Sequence, residues 1–386
     1  MILARPSIST YLARTLSELG VLTVVGDDLP VPMRPALRLG TIREFAADPK
    51  AAYRSLLLTS SENALSYLYD VIPYDDRVMK ARLFKDKAAF RRAIAKKFPA
   101  FFFRELRPEE LDRVDAASLP YPVILKPSIG ISSIGVIRVA QASEWAPAVK
   151  FLRGELESYQ RNYSRHVVES GQVLIETCIE GPELAIDGYF NGQAEPVVLN
   201  LMEHLFSGPG DTSDRLYYTR RSLVEKYLPQ VTAFLREFGE VFDLKRFPFH
   251  LEVRVSASGE LIPIELNPLR FSGLGTTEIA QYAHGVNVYE AFFNETKPDW
   301  AGLLAREDDS IYAFLCVDVP TELYRDPKLQ ISDRGLCREL PEVLEYRILD
   351  EQETSTFAVI FIRTESEAEC RRLLNLDLGP YFHTRA

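Results

Sequence analysis

Two stretches near residue 250 read as a hairpin whose two faces match in one register. Phe249-His250-Leu251-Glu252-Val253-Arg254-Val255 and Leu261-Ile262-Pro263-Ile264-Glu265-Leu266-Asn267-Pro268 flank a short polar connection. Side chains of a strand alternate faces, so His250, Glu252 and Arg254 share one face and Leu251, Val253 and Val255 the other. In the second stretch Glu265 and Asn267 lie opposite Ile262, Ile264 and Leu266. A turn over residues 257–260 pairs Val255 with Ile262 and Glu252 with Glu265, setting apolar against apolar and polar against polar. Two carboxylates directly opposite each other on a sheet repel unless a cation lies between them. Glu252, Glu265 and Asn267 offer oxygen ligands, which suits Mg²⁺, an ion that takes few protein ligands beside substrate phosphates and water. A solvated polar face with Arg254 offsetting the charge is the other reading of an isolated hairpin.

The start of the chain alternates strands and helices. Residues 1–4 are apolar, Ser7 or Ser9 can cap a helix with Leu12, Leu16 and Leu19 on one face, and Gly20 stands at its C-cap. Residues 21–25 read as a buried strand ending at Gly26-Asp27-Asp28, and 55–59 with the helix 61–69 repeat the unit. Such alternation implies a parallel sheet covered on both faces. No G-x-G-x-x-G follows the first strand, so the layer is Rossmann-like without a dinucleotide fingerprint. Residues 80–98 are basic with helical period, and Phe101–Phe103 lead to a linker around Pro120. Strands then dominate at 123–126, 136–139, 173–176, 184–190 and 195–201, with a helix at 223–238 before the hairpin. Beyond residue 305, strands at 311–317, 344–348 and 357–362 and a helix at 366–374 read as a small α+β C-terminal domain. The expected division is 1–80, 81–304 and 305–386.

Charge narrows the partners. With 45 basic and 55 acidic residues the net charge is −10, a poor match for nucleic acid or an anionic membrane. An anionic ligand must therefore be held by a few placed cations. Hydrophobic residues make up 46% of the chain, ample for real cores. Cys178, Cys316, Cys337 and Cys370 are far apart, with no C-x-x-C pair, which fits isolated thiols in a reducing compartment rather than zinc or a disulfide framework. No signal-peptide core opens the chain, and no window approaches the ~18–20 apolar residues of a membrane span, so the expected location is cytoplasmic.

Placed cations are visible upstream of the hairpin. In Val123-Ile124-Leu125-Lys126-Pro127-Ser128-Ile129-Gly130-Ile131-Ser132-Ser133-Ile134-Gly135-Val136, an apolar strand delivers a lysine into a small hydroxyl-rich loop. Such a loop can wrap phosphate oxygens with backbone N–H groups and serine hydroxyls while the lysine supplies charge. It is not a Walker A motif, since the G-K-[S/T] order is missing; a tight surface hairpin would also recruit Gly and Ser. Further on, a strand ends at Glu176, turns at Gly181-Pro182 and resumes near Glu183. An edge backbone with a glutamate at each end can read an adenine amino group and ribose hydroxyls, although a plain strand-turn-strand looks the same.

Together and in this order, the segments resemble the ATP-grasp superfamily over roughly residues 80–295. The run Lys126 to Gly135 resembles the phosphate loop of D-alanine–D-alanine ligases, with Gly130 one place early, and Asp86-Lys87 resembles the family's earlier phosphate lysine. Glu176-Thr-Cys-Ile-Glu-Gly-Pro-Glu183 is similar to the family's Glu-x-x-x-Gly-x-Glu, and Glu265-Leu266-Asn267-Pro268 to its Glu-x-Asn metal pair, with Glu252 as the earlier metal carboxylate. The resemblance implies an ATP-grasp fold with the Rossmann-like N-terminal domain before it and is silent on residues 305–386; with the C-terminal α+β domain read above, the expected fold class is α/β and α+β. It implies ATP with Mg²⁺ or Mn²⁺ as cofactors. Lys87, Lys126, Ser132 and Ser133 would hold phosphates, Glu176 and Ile179 would face adenine and Glu183 the ribose. Glu252, Glu265 and Asn267 would hold the metal.

The implied activity is that of a carboxylate–amine ligase: a carboxylate is activated as an acylphosphate and captured by an amine. Many relatives place an arginine immediately after Asn-Pro; here it stands one residue later, as Arg270, facing a substrate carboxylate or the transferring phosphate. Residues 207–221, long, glycine-bearing and basic at the end, read as a lid with Arg215, Arg220 or Arg221 meeting developing charge, Arg220 being the catalytic candidate beside Arg270 and Lys126. His250 reads as a satisfied sheet histidine rather than a ligand, and His166, His204, His284 and His383 have no evident partner. An ATP-grasp phosphotransferase and a non-catalytic nucleotide-binding module are the alternatives. The expected partners are small-molecule carboxylates and amines, with neither nucleic acid nor membrane; the oligomeric state is open, a homodimer being compatible with the class.

Overall fold

Ser9 starts the first helix, Thr10–Glu18, by accepting the Leu12 N–H, and Gly20 leaves it at a φ of 62°. The structure is a computed structural model; it describes all residues except 5–7, 26–36, 48–53, 129–134, 163–170, 321–322, 324–325, 327–328, 350–353 and 385–386. Strands β1 (Ile2–Leu3), β2 (Thr23–Val25) and β3 (Leu39–Gly40) form the expected parallel sheet. The strand expected at 55–59 is reduced to a parallel bridge between Thr59 and Ile2, and Ser61 caps the helix Glu62–Val71. The Gly26-Asp27-Asp28 turn lies outside the described residues.

The basic stretch 80–98 is two helices. Asp86 breaks it with an extended backbone after Asp76–Lys85, and its carboxylate accepts the N–H groups of Ala88 and Ala89 to start Lys87–Ile94. Phe84 and Phe90 pack with Phe238, Phe242 and Phe247, seating both helices on the core.

Strands β4 (Phe103–Leu106), β5 (Val123–Pro127), β6 (Ile137–Val139) and β7 (Val173–Thr177) form an antiparallel sheet in the order β4-β7-β5-β6. The helix Trp145–Asn162 covers it, with Trp145, Val149 and Leu152 clustered with Val123, Leu125 and Ile175. The sequence reading places neither β4 nor this helix; Pro147 and Gly154 interrupt the helical pattern there.

The main sheet is built from β8 (Glu183–Phe190), β9 (Pro196–Leu205), β10 (Leu216–Thr219), β11 (Phe247–Val255), β12 (Leu261–Pro268) and three later strands. Those come from β13 (Ile311–Asp318), β14 (Leu329–Ile331), β15 (Glu342–Ile348), β16 (Thr356–Thr364) and β17 (Phe382–Thr384), of which β14 and β17 pair separately. The order is β12-β11-β8-β9-β10-β13-β16-β15. Residues 305–386 therefore have the expected α+β content, yet β13, β15 and β16 extend the central sheet, with Ile360 and Ile362 in one core with Leu184 and Leu251. The join is β10, whose buried backbone needs a partner on each side and finds β9 and β13. Residues 178–182 run from β7 into β8 and so connect the two large sheets. Among the described residues no helix is long and apolar enough to cross a membrane.

Candidate functional site

Between the small sheet and the main sheet lies a cavity of about 350 Å³, walled by residues of β5, β7, β11 and β12, the 178–181 connection and the loop after β9. Its cationic wall comes from two places in the chain. Lys126 ends β5 and is buried, with Nζ 2.6 Å from Glu176 Oε2. Burial lowers the Lys126 pKa and Arg91 and Lys87 add to this, while Glu176 holds it up. Lys87 opens its helix with Nζ 3.3 Å from Glu265 Oε2. The two lysines are fixed relative to each other by Ser128, whose hydroxyl donates to Asp86 Oδ1 at 2.5 Å and whose carbonyl accepts the Lys87 N–H at 3.0 Å.

The anionic wall is the hairpin. Glu252 pairs with Glu265, as the alternation predicts, and His250 with Asn267. Beyond that pair a bulge shifts the register, so Val253 meets Pro263 and Val255 meets Leu261 instead of Ile262. Ile264, expected on the apolar face, therefore lines the cavity beside Glu265. Pro263 within the edge strand β12 is the sequence signal for that bulge. Burial alone would raise the Glu265 carboxyl, but Lys87, Lys85 and Lys126 hold it down at about 2. Glu252 is raised by burial, and the carboxylates of Glu183 and Asp214 add to the rise.

These groups fit a Mg²⁺ ion that completes its shell with nucleotide oxygens. Among the described residues no three His, Cys, Asp or Glu side chains converge on a metal position. The candidate set is two carboxylates and the Asn267 amide, which is the small protein share that Mg²⁺ takes at phosphate sites. The raised carboxyl of Glu252, facing two other acids, is one that a cation would relieve. His250 is held otherwise: Nδ1 lies 2.9 Å from Asp187 Oδ1 and Nε2 3.2 Å from Glu252 Oε1. Burial alone would lower it, but those carboxylates carry it to about 9. It is a satisfied sheet histidine.

The third wall is the connection between the sheets. Ile179 lines the cavity and its carbonyl accepts from Arg254 Nη1 at 3.2 Å. Glu183 accepts from Arg254 Nε at 2.8 Å and contacts His204 Nδ1 at 3.0 Å. Burial opposes the Glu183 charge, but His204 and Arg254 keep its pKa lowered. Gly181 makes the passage possible: its φ is 124°, and a Cβ there would stand 2.0 Å from the Val255 carbonyl oxygen.

The cleft thus sets a lysine pair and a two-carboxylate hairpin around one cavity between two sheets. A family model described as an ATP-grasp domain matches residues 119–278. The chain carries an ATP-grasp domain. Solved structures agree on the fold. An L-amino acid ligase from Bacillus licheniformis superposes with a TM-score of 0.64 at 16% identity, covering 100% of this chain and 97% of that one. N5-carboxyaminoimidazole ribonucleotide synthetase from Thermotoga maritima gives 0.62 at 14% identity, covering 97% and 96%. Phosphoribosylglycinamide synthetase from Anaerococcus prevotii gives 0.58 at 13%, covering 100% and 98%. At these identities the likeness is one of fold. No curated protein matches by sequence.

The cleft between the two sheets brings together Lys87, Lys126, Glu176, Ile179, Glu183, Glu252 and Glu265. Ser132 and Ser133 lie outside the described residues. Glu176 does not offer an open carboxylate, because Arg91 and Lys126 enclose it. Arg220 is not in the cleft: it reaches Asp309 and Glu367, at the far end of β10. Nor is all of 207–221 a lid, since 216–219 is the buried strand β10 and Arg221 begins a helix. Arg215 donates to the carbonyls of Leu373 and Leu376, away from the cavity. What remains over the cleft is the loop 206–214, of which Phe206, Pro209, Asp211, Thr212 and Asp214 line it. Arg270 binds Glu62 Oε1 at 3.2 Å, the oxygen that Lys85 meets at 2.7 Å, so it borders the Glu265 end of the cleft through a shared carboxylate.

Three contributors escape the sequence reading. Arg91 carries a signal, four residues after Lys87 on one helix face. His204, stacked on Tyr217 and tied to Glu183, and Lys85, reaching Glu62 and Asn267, carry none, because their partners are remote in sequence.

Proposed function

We propose that this chain is an ATP- and Mg²⁺-dependent ligase that activates a small carboxylate as an acylphosphate and joins it to an amine, releasing ADP and phosphate. The carrying observation is that two buried lysines, Lys87 and Lys126, line one cleft with Glu252 and Glu265 of the facing hairpin; Asn267 stands two residues beyond Glu265 on the same strand, with Oδ1 3.5 Å from Lys85 Nζ. In this reading the lysines and the loop after Lys126 hold the phosphates, and the 176–183 connection receives adenine and ribose. Glu252, Glu265 and Asn267 would hold the metal, which supplies charge neutralisation between phosphate oxygens. A substrate carboxylate oxygen attacks the γ-phosphorus as ADP leaves; the amine then displaces phosphate from the acyl carbon. Arg270, which shares the Glu62 carboxylate with Lys85, would meet the substrate carboxylate or the transferring phosphate. The work asked of the protein is positioning and charge compensation. The ligase and synthetase names of the structural neighbours support the same class.

The test is ADP and phosphate release from purified protein with ATP and Mg²⁺, across pooled amino acids and small carboxylic acids, with mass spectrometry of products. Release that depends on two substrates, with a product mass equal to their sum minus water, is the expected result. ADP with a phosphorylated acceptor would replace the ligase with a phosphotransferase. Nucleotide binding with no turnover across amino acids, peptides and di-acids would leave a binding module.

A further inference from the structure

Arg91 is among the largest fully buried side chains of the protein, and neither the family resemblance nor the proposed chemistry gives it a task. All three of its guanidinium nitrogens are used. Nε donates to Glu176 Oε1 at 2.6 Å and Nη2 to Glu176 Oε2 at 3.2 Å, a two-point grip on one carboxylate. Nη1 donates to the Pro263 carbonyl at 2.5 Å, and Nη2 also reaches Ile264 O at 3.4 Å. Those two carbonyls belong to the bulge of β12, whereas Glu176 lies on β7. The Phe101 ring lies 4.5 Å from the guanidinium and closes its outer side.

Glu176 is thus held from two directions. Arg91 meets it from the helix that also carries Lys87, and Lys126 meets it from the neighbouring strand β5 with Nζ at 2.6 Å. The carboxylate has one charge and two cations. A carboxylate left alone in so buried a place is costly, so with Lys126 as its sole partner that lysine could not turn to another anion without stranding it. With Arg91 in place the carboxylate stays compensated when Lys126 moves, and the group Arg91–Glu176–Lys126 keeps one positive charge in surplus.

We infer that Arg91 is a positioning residue that keeps Lys126 available to a nucleotide phosphate oxygen by holding Glu176 from its other side. The inference rests on the nucleotide reading of the cleft. It distinguishes two roles of Arg91 that a single substitution confuses: tying β7 to the bulge of β12, and neutralising Glu176.

A double-substitution cycle separates them, read as the dissociation constant of a non-hydrolysable ATP analogue by calorimetry on the full chain, with circular dichroism on each variant. Arg91→Met leaves Lys126 as the sole cation on Glu176 and should weaken the analogue roughly 10- to 100-fold, the scale of a lost charged hydrogen bond. In a Glu176→Gln chain no anion detains Lys126, so adding Arg91→Met there should weaken the analogue far less, measured against Glu176→Gln alone. If Arg91→Met does not fold, Arg91→Lys with and without Glu176→Gln runs the same cycle, since lysine cannot reproduce the two-point grip. A loss that Glu176→Gln leaves untouched, with unchanged dichroism, would show that Arg91 is only a tie between sheets. Wild-type affinity in Arg91→Met would overturn the inference alone. Failure of the wild-type chain to bind the analogue would overturn the nucleotide reading and the inference with it.

Discussion

Gly181→Ala is the substitution whose cost can be worked most directly from the structure. The residue has a φ of 124°, a region that a side chain bearing Cβ avoids, and holding such a backbone costs about 1–3 kcal/mol. A Cβ there would lie 2.0 Å from the Val255 carbonyl oxygen, an obstacle of backbone rather than of a flexible side-chain tip. Relieving the overlap must move the end of β11 or the connection itself, at about 1–3 kcal/mol for overpacking. The two add to about 2–6 kcal/mol. Gly259→Ala is the matched control: its φ is 82° and its Cβ would meet nothing within 4 Å, so the strain remains without the collision.

The assay is urea unfolding of both variants, followed by the fluorescence of Trp145 on the small-sheet side and Trp300 on the main-sheet side. Gly181→Ala should lower the midpoint clearly further than Gly259→Ala. It should also weaken the ATP analogue, because displacement of 178–182 pulls the Ile179 carbonyl from Arg254 and loosens the hold on Glu183. A midpoint for Gly181→Ala no lower than that of the control would refute the close approach to Val255 as the reason for glycine.

Three more outcomes are expected. Lys126→Met should reduce ATP-dependent turnover by about 100-fold or more, yet leave thermal unfolding nearly unchanged, because Glu176 keeps both hydrogen bonds from Arg91; a collapsed melting curve would contradict this. Burial alone would raise the Glu176 carboxyl, but Arg91 and Lys126 hold it at about 2, against an ordinary value of 4.5. Its stabilisation is therefore present above pH 4.5 and fades as pH falls towards 2, on the order of 3 kcal/mol in all. Glu176→Gln should flatten the acid limb of a stability–pH profile in that window, and an unchanged limb would remove the ion pair as its cause. Arg220→Ala should leave turnover unaltered and cost about 1 kcal/mol of stability through Asp309 and Glu367, whereas a large loss of turnover would return Arg220 to the reaction.

The parts of the site legible in the sequence are those governed by local periodicity. Glu252 opposes Glu265 as the alternation predicts, because the extra residue of β12, between that pair and the turn, offsets a turn that closes on Val255–Leu261 instead of Val255–Ile262. One position further the rule fails: Ile264 turns to the cavity, and only Pro263 hints at it. The capping power of Asp86 is equally local, and it breaks one expected helix into two and places Lys87 at the start of the second. The lid reading fails for a related reason. Leu216, Tyr217, Tyr218 and Thr219 are too few to show a period, and the basic residues after them suggest exposure, while the strand they form is wholly buried between β9 and β13.

What stayed hidden is the set of partners, and its absence from the sequence is physical. Arg91 meets Glu176 across 85 residues, Lys85 meets Asn267 across 182, and Arg270 meets Glu62 across 208. Each pair requires two separately folded segments to dock, so no window of sequence contains it. The same docking explains why the acidic chain can still present cations to an anion. Lys87 and Lys126 are delivered to one cleft by a capped helix and a strand end. Within the cleft each of the two lysines has a carboxylate beside it, Glu265 for Lys87 and Glu176 for Lys126. The two carboxylates differ in what they keep when those lysines turn away. Glu176 retains Arg91, and Glu265 retains Lys85 at 3.7 Å and its place opposite Glu252. Of the two, Glu265 is left the more open, and it stands on the hairpin whose oxygens suit a divalent cation.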